Sequence, residues 1–274
     1  MNKKTNIKEE KHSFQAEVSK LLHIVANSLY SDKEVFLREL ISNSSDACDK
    51  LRYESVTKPE LISEDAKFKI EIETDDKNGT LIVSDNGIGM SKSELTENLG
   101  TIARSGTSAF VEKASENETD DNVSLIGQFG VGFYAAFMVS KKVDVISKKV
   151  GSKEAWKWTS DGLGNFSILE SKREIRGTTV ILYLKKDEKK FLDKSQIKEI
   201  IKKYSDHIGV PIVIKGDKEE EINTASALWT RQKSEISKDQ YKEFYHHVGQ
   251  SFDEPWLTLH SKVEGKIEYT LLLF

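Results

Sequence analysis

Three stretches of this 274-residue chain place reactive or ligand-seeking groups at telling spacings. The first is Glu39-Leu40-Ile41-Ser42-Asn43-Ser44-Ser45-Asp46, inside a helical pattern from about Lys33 to Glu54. At about 100° per residue, with Glu39 at zero, Asn43 falls near 40° and Asp46 near −20°, so three oxygen-bearing side chains share one face. Phe36, Leu40, Ile41, Ala47 and Leu51 occupy the adjoining arc, which sets the oxygen stripe beside a buried face. Taken alone, the stripe fits a solvated polar edge or an active site. The second stretch is Asp85-Asn86-Gly87-Ile88-Gly89-Met90, a carboxylate at a strand end followed by glycines that let backbone approach a ligand. The third is Gly127-Gln128-Phe129-Gly130-Val131-Gly132-Phe133-Tyr134, which runs straight into an apolar helix. Glycine-rich backbone at a helix start presents N–H groups and positive dipole to an anion, so it can hold a phosphate without lysine.

Several familiar chemistries fail on these residues. Gly127 and Gly132 have P-loop spacing, but Phe133-Tyr134 stands where Lys-Ser/Thr is required. Gly130-x-Gly132-x-x-Ala135 matches a dinucleotide fingerprint, yet neither its opening βαβ strand nor its ribose-binding acid is evident. Asp76, Asn78 and Gly79 lack the bidentate Glu of a calcium loop. His246-His247 point about 100° apart on a helix, so they read as surface histidines and not as a metal pair.

The elements that would position these groups follow from periodicity and punctuation. Residues 1 to 12 fit a frayed end or one short edge strand. Ser13 caps a helical pattern through Phe14, Val18, Leu21, Leu22, Val25 and Leu29. For the Glu39 helix, Ser31 and Glu34 have capping-box spacing. After Pro59, Phe68 to Glu73 alternates as a half-buried strand, and Asn78-Gly79 turns it into Thr80 to Ser84. Ser91 to Gly100 reads as a helix with Ser91 and Glu94 as its capping box. Thr101 to about Val123 is polar and small enough for a mobile lid, while its acidic part, Ser115 to Asn122, equally fits a disordered surface loop. Stretches 142–149, 154–160, 166–169 and 178–184 read as an antiparallel meander in which Trp156 and Trp158 pack. Gln196 to Ile208 is an amphipathic helix and Val210 to Ile214 a strand. The expected organisation is one unit over 1–215, a short charged linker over 216–226, and the start of a second unit over 227–274, with a helix at Lys238 to Val248 and a strand at Glu268 to Phe274.

Composition narrows the partners. Charged residues make up 31% of the chain but sum to a net −4, so no general basic field exists for nucleic acid or an anionic membrane. Cys48 is the single cysteine, which excludes an intrachain disulfide and fits a reducing cytoplasm. The lysine-bearing start lacks an apolar targeting region, and Phe133 to Val139, the longest apolar run, is too short to span a bilayer. The chain reads as soluble and cytoplasmic.

In this order, the acid-and-amide helix, the Asp-x-Gly-x-Gly turn, the glycine-rich turn and Gly177-Thr178 resemble the ATPases that include gyrase B, MutL, histidine kinases and the ninety-kilodalton heat-shock chaperone. Phe36 to Ala47, Asn98-Leu99-Gly100-Thr101-Ile102-Ala103-Arg104-Ser105-Gly106-Thr107 and Ile126 to Tyr134 resemble the chaperone itself. The short linker is similar to that of its bacterial form, high-temperature protein G. Leu228 to Ile236 and Val263 to Thr270 are similar to the opening of the chaperone's middle domain, so the resemblance covers essentially the whole chain.

That resemblance implies an α+β fold, a two-layer sandwich whose mixed, mostly antiparallel sheet is covered on one face by helices. It implies ATP and Mg²⁺ as cofactors. Asp85 and Thr178 would read the adenine edge, Gly89 would admit the backbone, and Met90 would pack the ring. Asn43 would ligate Mg²⁺, and Glu39 would act as general base. Gly130, Val131, Gly132 and Phe133 would face the phosphates, with Asp46, Leu99 and Gly127 in the same pocket and Asn98 and Arg104 reaching in from the lid. Lysine is common at the position of Arg104 in the resembled family. The implied protein is a homodimeric, ATP-hydrolysing chaperone of unfolded client proteins, open to ansamycin or resorcinol-type inhibitors. The γ-phosphate arginine and the dimerisation domain of the resembled family would lie beyond Phe274, so this chain is expected to bind nucleotide but to hydrolyse it weakly. A nucleotide-sensing or phosphotransfer module of the same superfamily is the alternative.

Overall fold

The computed structural model describes residues 32–63, 65–101, 130–216, 219–224, 228–249, 253–263 and 269–274. In chain order the elements are α1 (Val35–Thr57), β1 (Ile70–Asp75), β2 (Thr80–Asp85), α2 (Lys92–Gly100), α3 (Ala136–Val139), β3 (Ser140–Lys148), β4 (Ala155–Ser160), β5 (Phe166–Ser171), β6 (Gly177–Leu184), α4 (Lys194–Ser205), β7 (Ile212–Ile214), β8 (Glu220–Glu221), α5 (Lys238–Gly249), β9 (Leu259–Val263) and β10 (Tyr269–Leu273). The helix that begins at Ser13 lies outside the described residues.

Strands β1 to β8 form one sheet in the order β5-β4-β3-β6-β2-β1-β7-β8, antiparallel except for the parallel pair β1 and β7. The expected meander holds for β3, β4 and β5, but β6 does not continue it. It returns to the other side of β3, pairing Val145 with Val180, and carries the sheet on to β2. Period-two alternation then has a single meaning across the sheet. Ile70 and Ile72 of β1, Leu81 and Val83 of β2, Leu182 of β6, Val143 and Val145 of β3 and Trp158 of β4 lie on one face and are buried. Helix α1 covers that face with Phe36, Leu37, Leu40, Ile41 and Leu51, and α4 adds Ile197, Ile200 and Ile201. The opposite face is more polar, with Ile82, Ile146 and Ile181 among its charged and hydroxyl side chains. There Asp144 accepts from the Tyr183 hydroxyl at 3.2 Å, and although burial opposes them, Lys157 at 3.0 Å, Thr159 Oγ1 and Lys142 at 3.2 Å bring its carboxyl below the usual range. The architecture is the two-layer α+β sandwich.

Of two expected helix starts, one has the expected capping box and one does not. Ser91 and Glu94 do form a capping box on α2. At α1, however, Glu34 accepts from Gln196 Nε2 at 3.2 Å and Lys203 Nζ at 3.0 Å, because α4 packs there and offers it charged partners. Asp32 Oδ1 accepts from Glu34 N at 3.0 Å instead, and the first turn tightens through bonds that reach back three residues, so α1 begins at Val35. Ser31 lies outside the described residues. At the third stretch the chain enters its helix through a 3-10 turn, Gly132–Ala135, and only Ala136–Val139 is α-helical.

The charged segment after Lys215 is not all linker. Glu220 and Glu221 extend the sheet beside β7, and Ile222 joins the core. Buried Asn223 accepts from Ile212 N at 2.7 Å and donates to Ile208 O at 2.8 Å and Val210 O at 3.1 Å. Farther on, β9 and β10 form a separate two-stranded sheet. His260 bridges Tyr241 Oη at 2.6 Å and the Trp229 carbonyl at 2.8 Å, and His246 Nε2 meets the Asp253 carbonyl at 2.9 Å. Among the described residues no group of three His, Cys, Asp or Glu is placed to hold a metal, and no helix is long and apolar enough to cross a membrane.

Candidate functional site

The inner face of the sheet changes from apolar to polar at one end. Following the register past Val83 and Val180 gives Asp85 on β2, Thr178 on β6 and Ser147 on β3, side by side. Each is buried. Asp85 Oδ1 accepts from Gly87 N at 2.9 Å and from Thr178 N at 3.3 Å, and the Ser44 hydroxyl of α1 also bonds the carboxyl. Thr178 Oγ1 lies 2.9 Å from Ser147 Oγ, which accepts from Met90 N at 2.8 Å and donates to Gly177 O at 3.2 Å. Burial pushes the Asp85 carboxyl up to about 6, against the Gly87 amide, the Arg173 charge, the Thr178 amide and Ser44. A buried carboxyl with hydroxyls on the neighbouring elements makes a hydrogen-bonding template that can both accept and donate.

Glycines let this template meet α1. A Cβ on Gly87 would overlap the Ala47 backbone, to whose carbonyl Ile88 N donates at 3.0 Å. Gly89, at φ +66°, presses on Lys148 O, and a side chain there would be both strained and blocked.

Along α1, Glu39, Asn43 and Asp46 take different environments. Arg38 Nε and Nη2 both reach Glu39 Oε1, at 3.0 and 2.6 Å, while Glu39 Oε2 lies where a Cβ on Gly132 would fall. The carboxylate and the glycine-rich turn, nearly a hundred residues apart, therefore touch. Asn43 is exposed and Asp46 buried. Val131, Gly132 and Phe133 are half-buried at the start of the 3-10 turn. The Phe133 ring meets Trp158 edge-on at 5.6 Å and so is anchored in the core. From α2, Asn98 Nδ2 approaches Met90 Sδ at 3.9 Å, and the Leu99 carbonyl accepts from Tyr134 Oη at 3.1 Å. The structure thus brings Asp85 and Thr178 together with Met90 and Asn98 near them, Leu99 against Tyr134, and Glu39 against Gly132, while Gly89 packs on β3, Asn43 and Asp46 lie farther along the α1 stripe, and Gly130, Val131 and Phe133 flank Gly132 in the chain. Arg104 and Gly127 lie outside the described residues.

Residues 30–189 match the family described as histidine kinase-, DNA gyrase B-, and HSP90-like ATPase, and residues 214–274 match the Hsp90 protein family. This chain belongs to the HSP90-like ATPase family. It is 56% identical to the chaperone protein HtpG of Rhodospirillum rubrum, 58% to that of Paramagnetospirillum magneticum and 56% to that of Rickettsia prowazekii, each over 97% of this chain and 43% of the relative. The chain therefore spans less than half the length of the curated relatives it matches.

Sequence spacing did not single out Ser147, Ser44, Lys50 or Arg173, which the structure of this HSP90-like chain places next to Thr178, Asp85, Asp46 and the Asp85 main chain in turn. Lys50 stands four residues after Asp46, on the same stripe. Burial pulls its ammonium below the usual lysine range, with Asp46 and Glu94 opposing. The helical spacing that singled out Asp46 reaches Lys50 by the same rule. Ser147 and Ser44 carry no local signal, because only strand register brings Ser147 to Thr178 and only helix docking brings Ser44 to Asp85.

Proposed function

We propose that this chain is the nucleotide-binding part of an ATP-dependent molecular chaperone that hydrolyses ATP, and that Asp85 reads the adenine. The observation that carries the reading is the row Asp85, Thr178 and Ser147 facing α1, in a chain of the HSP90-like ATPase family. Ionised Asp85 accepts from the adenine amino group, the Thr178 hydroxyl completes the edge, and Met90 packs the ring above Gly89. A guanine presents a carbonyl at that position and leaves Asp85 facing an acceptor, so the site selects adenine. The phosphates extend along α1 towards Gly130, Val131, Gly132 and Phe133, with Asp46, Asn98, Leu99, Arg104 and Gly127 as the remaining contacts.

Asn43 fits Mg²⁺ in one specific way. It offers a neutral amide oxygen on an exposed position of the stripe, and an ion that keeps its waters and takes phosphate oxygens needs one such ligand. Bound there, Mg²⁺ would neutralise phosphate charge. Glu39 orients a water and takes its proton, and contact with Gly132 keeps its carboxylate beside the turn. Arg38, forked onto Glu39 Oε1, fixes the direction of that carboxylate.

The reading extends to a nucleotide domain that continues past 215 through β8 to Asn223, a short link up to 226 and the start of a middle domain over 227–274. It also covers a cytoplasmic homodimer of the longer protein acting on unfolded clients, and inhibitors that mimic the adenine contact. The test is calorimetric titration with ADP and GDP. Wild type binds ADP and not GDP, and Asp85→Asn, which turns a donor towards the adenine amino group, loses ADP while keeping its circular dichroism spectrum. Unchanged ADP affinity in a folded Asp85→Asn protein would put the adenine elsewhere.

A further inference from the structure

Asp85 presents its carboxyl to the inner face of the sheet, but its main chain is gripped from the outer one. Arg173, in the turn between β5 and β6, donates from Nη2 to the Asp85 carbonyl at 2.7 Å and to the Arg176 carbonyl at 3.5 Å. Its Nη1 donates to Thr179 Oγ1, which lies 2.9 Å from Ser84 Oγ. Ser84 and Thr179 are register partners, each next in sequence to a residue of the polar row, Asp85 and Thr178. One half-buried guanidinium therefore spans the last residue of β2, the first turn into β6 and the pair that locks the two strands. A planar fork with fixed charge suits this, because it holds several acceptors at once and stays ionised. Gly177 makes the approach possible: at φ +107° a Cβ there would overlap the Asp85 carbonyl.

The groups packed around the Asp85 carboxyl are the Ser44 hydroxyl and Cys48 thiol of α1, the Gly87 and Thr178 amides, and Arg173. Asp49, Arg52 and Arg176 act on Cys48 beyond them, and burial keeps that thiol protonated. Arg173 supplies the opposing positive charge at Asp85.

We propose that Arg173 is a positioning residue for adenine recognition: from behind the sheet it fixes the main chain that carries Asp85 and Thr178 and supplies the charge that favours the carboxylate. The inference rests on the reading of Asp85 given above. Its reach is specific. A staple that only held the strands together would alter stability, whereas this one alters the pH at which adenine is bound.

The experiment titrates the 274-residue chain with ADP by calorimetry from pH 5 to 8, for wild type, Arg173→Gln, Arg173→Lys and Asp85→Asn. Comparison at each pH cancels the ionisation of ADP itself. Arg173→Gln is expected to bind about tenfold more weakly at pH 7, the scale of losing a charge-assisted bond, and to lose affinity at a higher pH than wild type. Arg173→Lys keeps the charge without the fork, so it returns the pH midpoint to the wild-type value while remaining weaker. An Arg173→Gln protein with wild-type affinity and midpoint overturns the inference, and so does weaker binding with an unmoved midpoint. If Arg173→Gln does not fold, the Lys variant decides: a midpoint above wild type overturns the proposal. Asp85→Asn separates the two levels. Should it keep ADP, the reading of Asp85 fails; should it lose ADP while Arg173→Gln behaves as wild type, only the role of Arg173 fails.

Discussion

Asp85 combines burial with a polar task, and the two pull its proton in opposite directions. Its carboxyl sits near 6 in the folded chain because burial outweighs its hydrogen bonds. Between the ordinary aspartate range and that value the native state holds a proton that the unfolded state has released, so this group's contribution to stability declines as pH rises through about 6. Recognition runs the other way, since protonated Asp85 presents a hydroxyl to the adenine amino group. Adenosine, which has no phosphate to titrate, is expected to lose affinity as pH falls below about 6, approaching tenfold per unit; NMR titration between pH 5 and 8 checks this. Glu39 allows a cleaner separation of binding from chemistry. Glu39→Ala is expected to keep ADP affinity and to lose about 10² to 10⁴-fold in hydrolysis. A single-turnover assay in the longer protein measures it, and undiminished turnover would remove Glu39 as the base.

At the scale of elements, α1 does two jobs with two faces. Phe36 is fully buried and meets Phe191 edge-on at 5.0 Å, and with Leu37, Leu40 and Ile41 it seats the helix on the sheet. Glu39 and Asn43 then project from the margin of that seat, so packing and site geometry cannot be varied independently. Phe36→Ala is expected to cost about 3–5 kcal/mol of stability by opening a cavity, and to weaken nucleotide binding although Phe36 lies on the packing face. Urea denaturation gives the first quantity, ADP titration of the folded fraction the second. Helix α2 is tied to the turn that follows β3. Glu94 serves its capping box and also pairs with Lys149, contacts that bring its carboxyl below the usual range although burial opposes them. That fixes the start of the segment carrying Asn98.

Across the whole molecule, the nucleotide-binding sheet ends later than the charge run implies. Ile222 is in the core, and Asn223 satisfies one amide and two carbonyls around β7. Asn223→Ala leaves buried backbone groups without partners, which costs about 1–3 kcal/mol each in principle, so a clear loss of thermal stability of the nucleotide-binding unit is expected. Differential scanning calorimetry decides it, and an unchanged melting temperature would mean that the segment after Lys215 is only tethered to the sheet.

Local chemistry was legible wherever a residue's job depends on its neighbours in sequence. The period of α1, the capping box at Ser91, the hairpin at Asn78-Gly79 and the alternation of the strands all rest on contacts a few residues long, and all appear in the fold. The start of α1, the return of β6 to β3 and the pairing of β8 were not legible, because each is settled by a partner far along the chain: α4 for Glu34, β3 for β6, β7 for Glu220 and Glu221. The candidate site divides the same way. Sequence spacing singled out Glu39, Asn43, Asp46 and Asp85 because helical and turn periodicity are local rules. Ser44, Ser147 and Arg173 were decided by tertiary structure alone, since helix docking and strand register, and no local spacing, bring a serine of α1 to the Asp85 carboxyl, a serine of β3 to Thr178 beside it, and an arginine to the Asp85 main chain from behind the sheet.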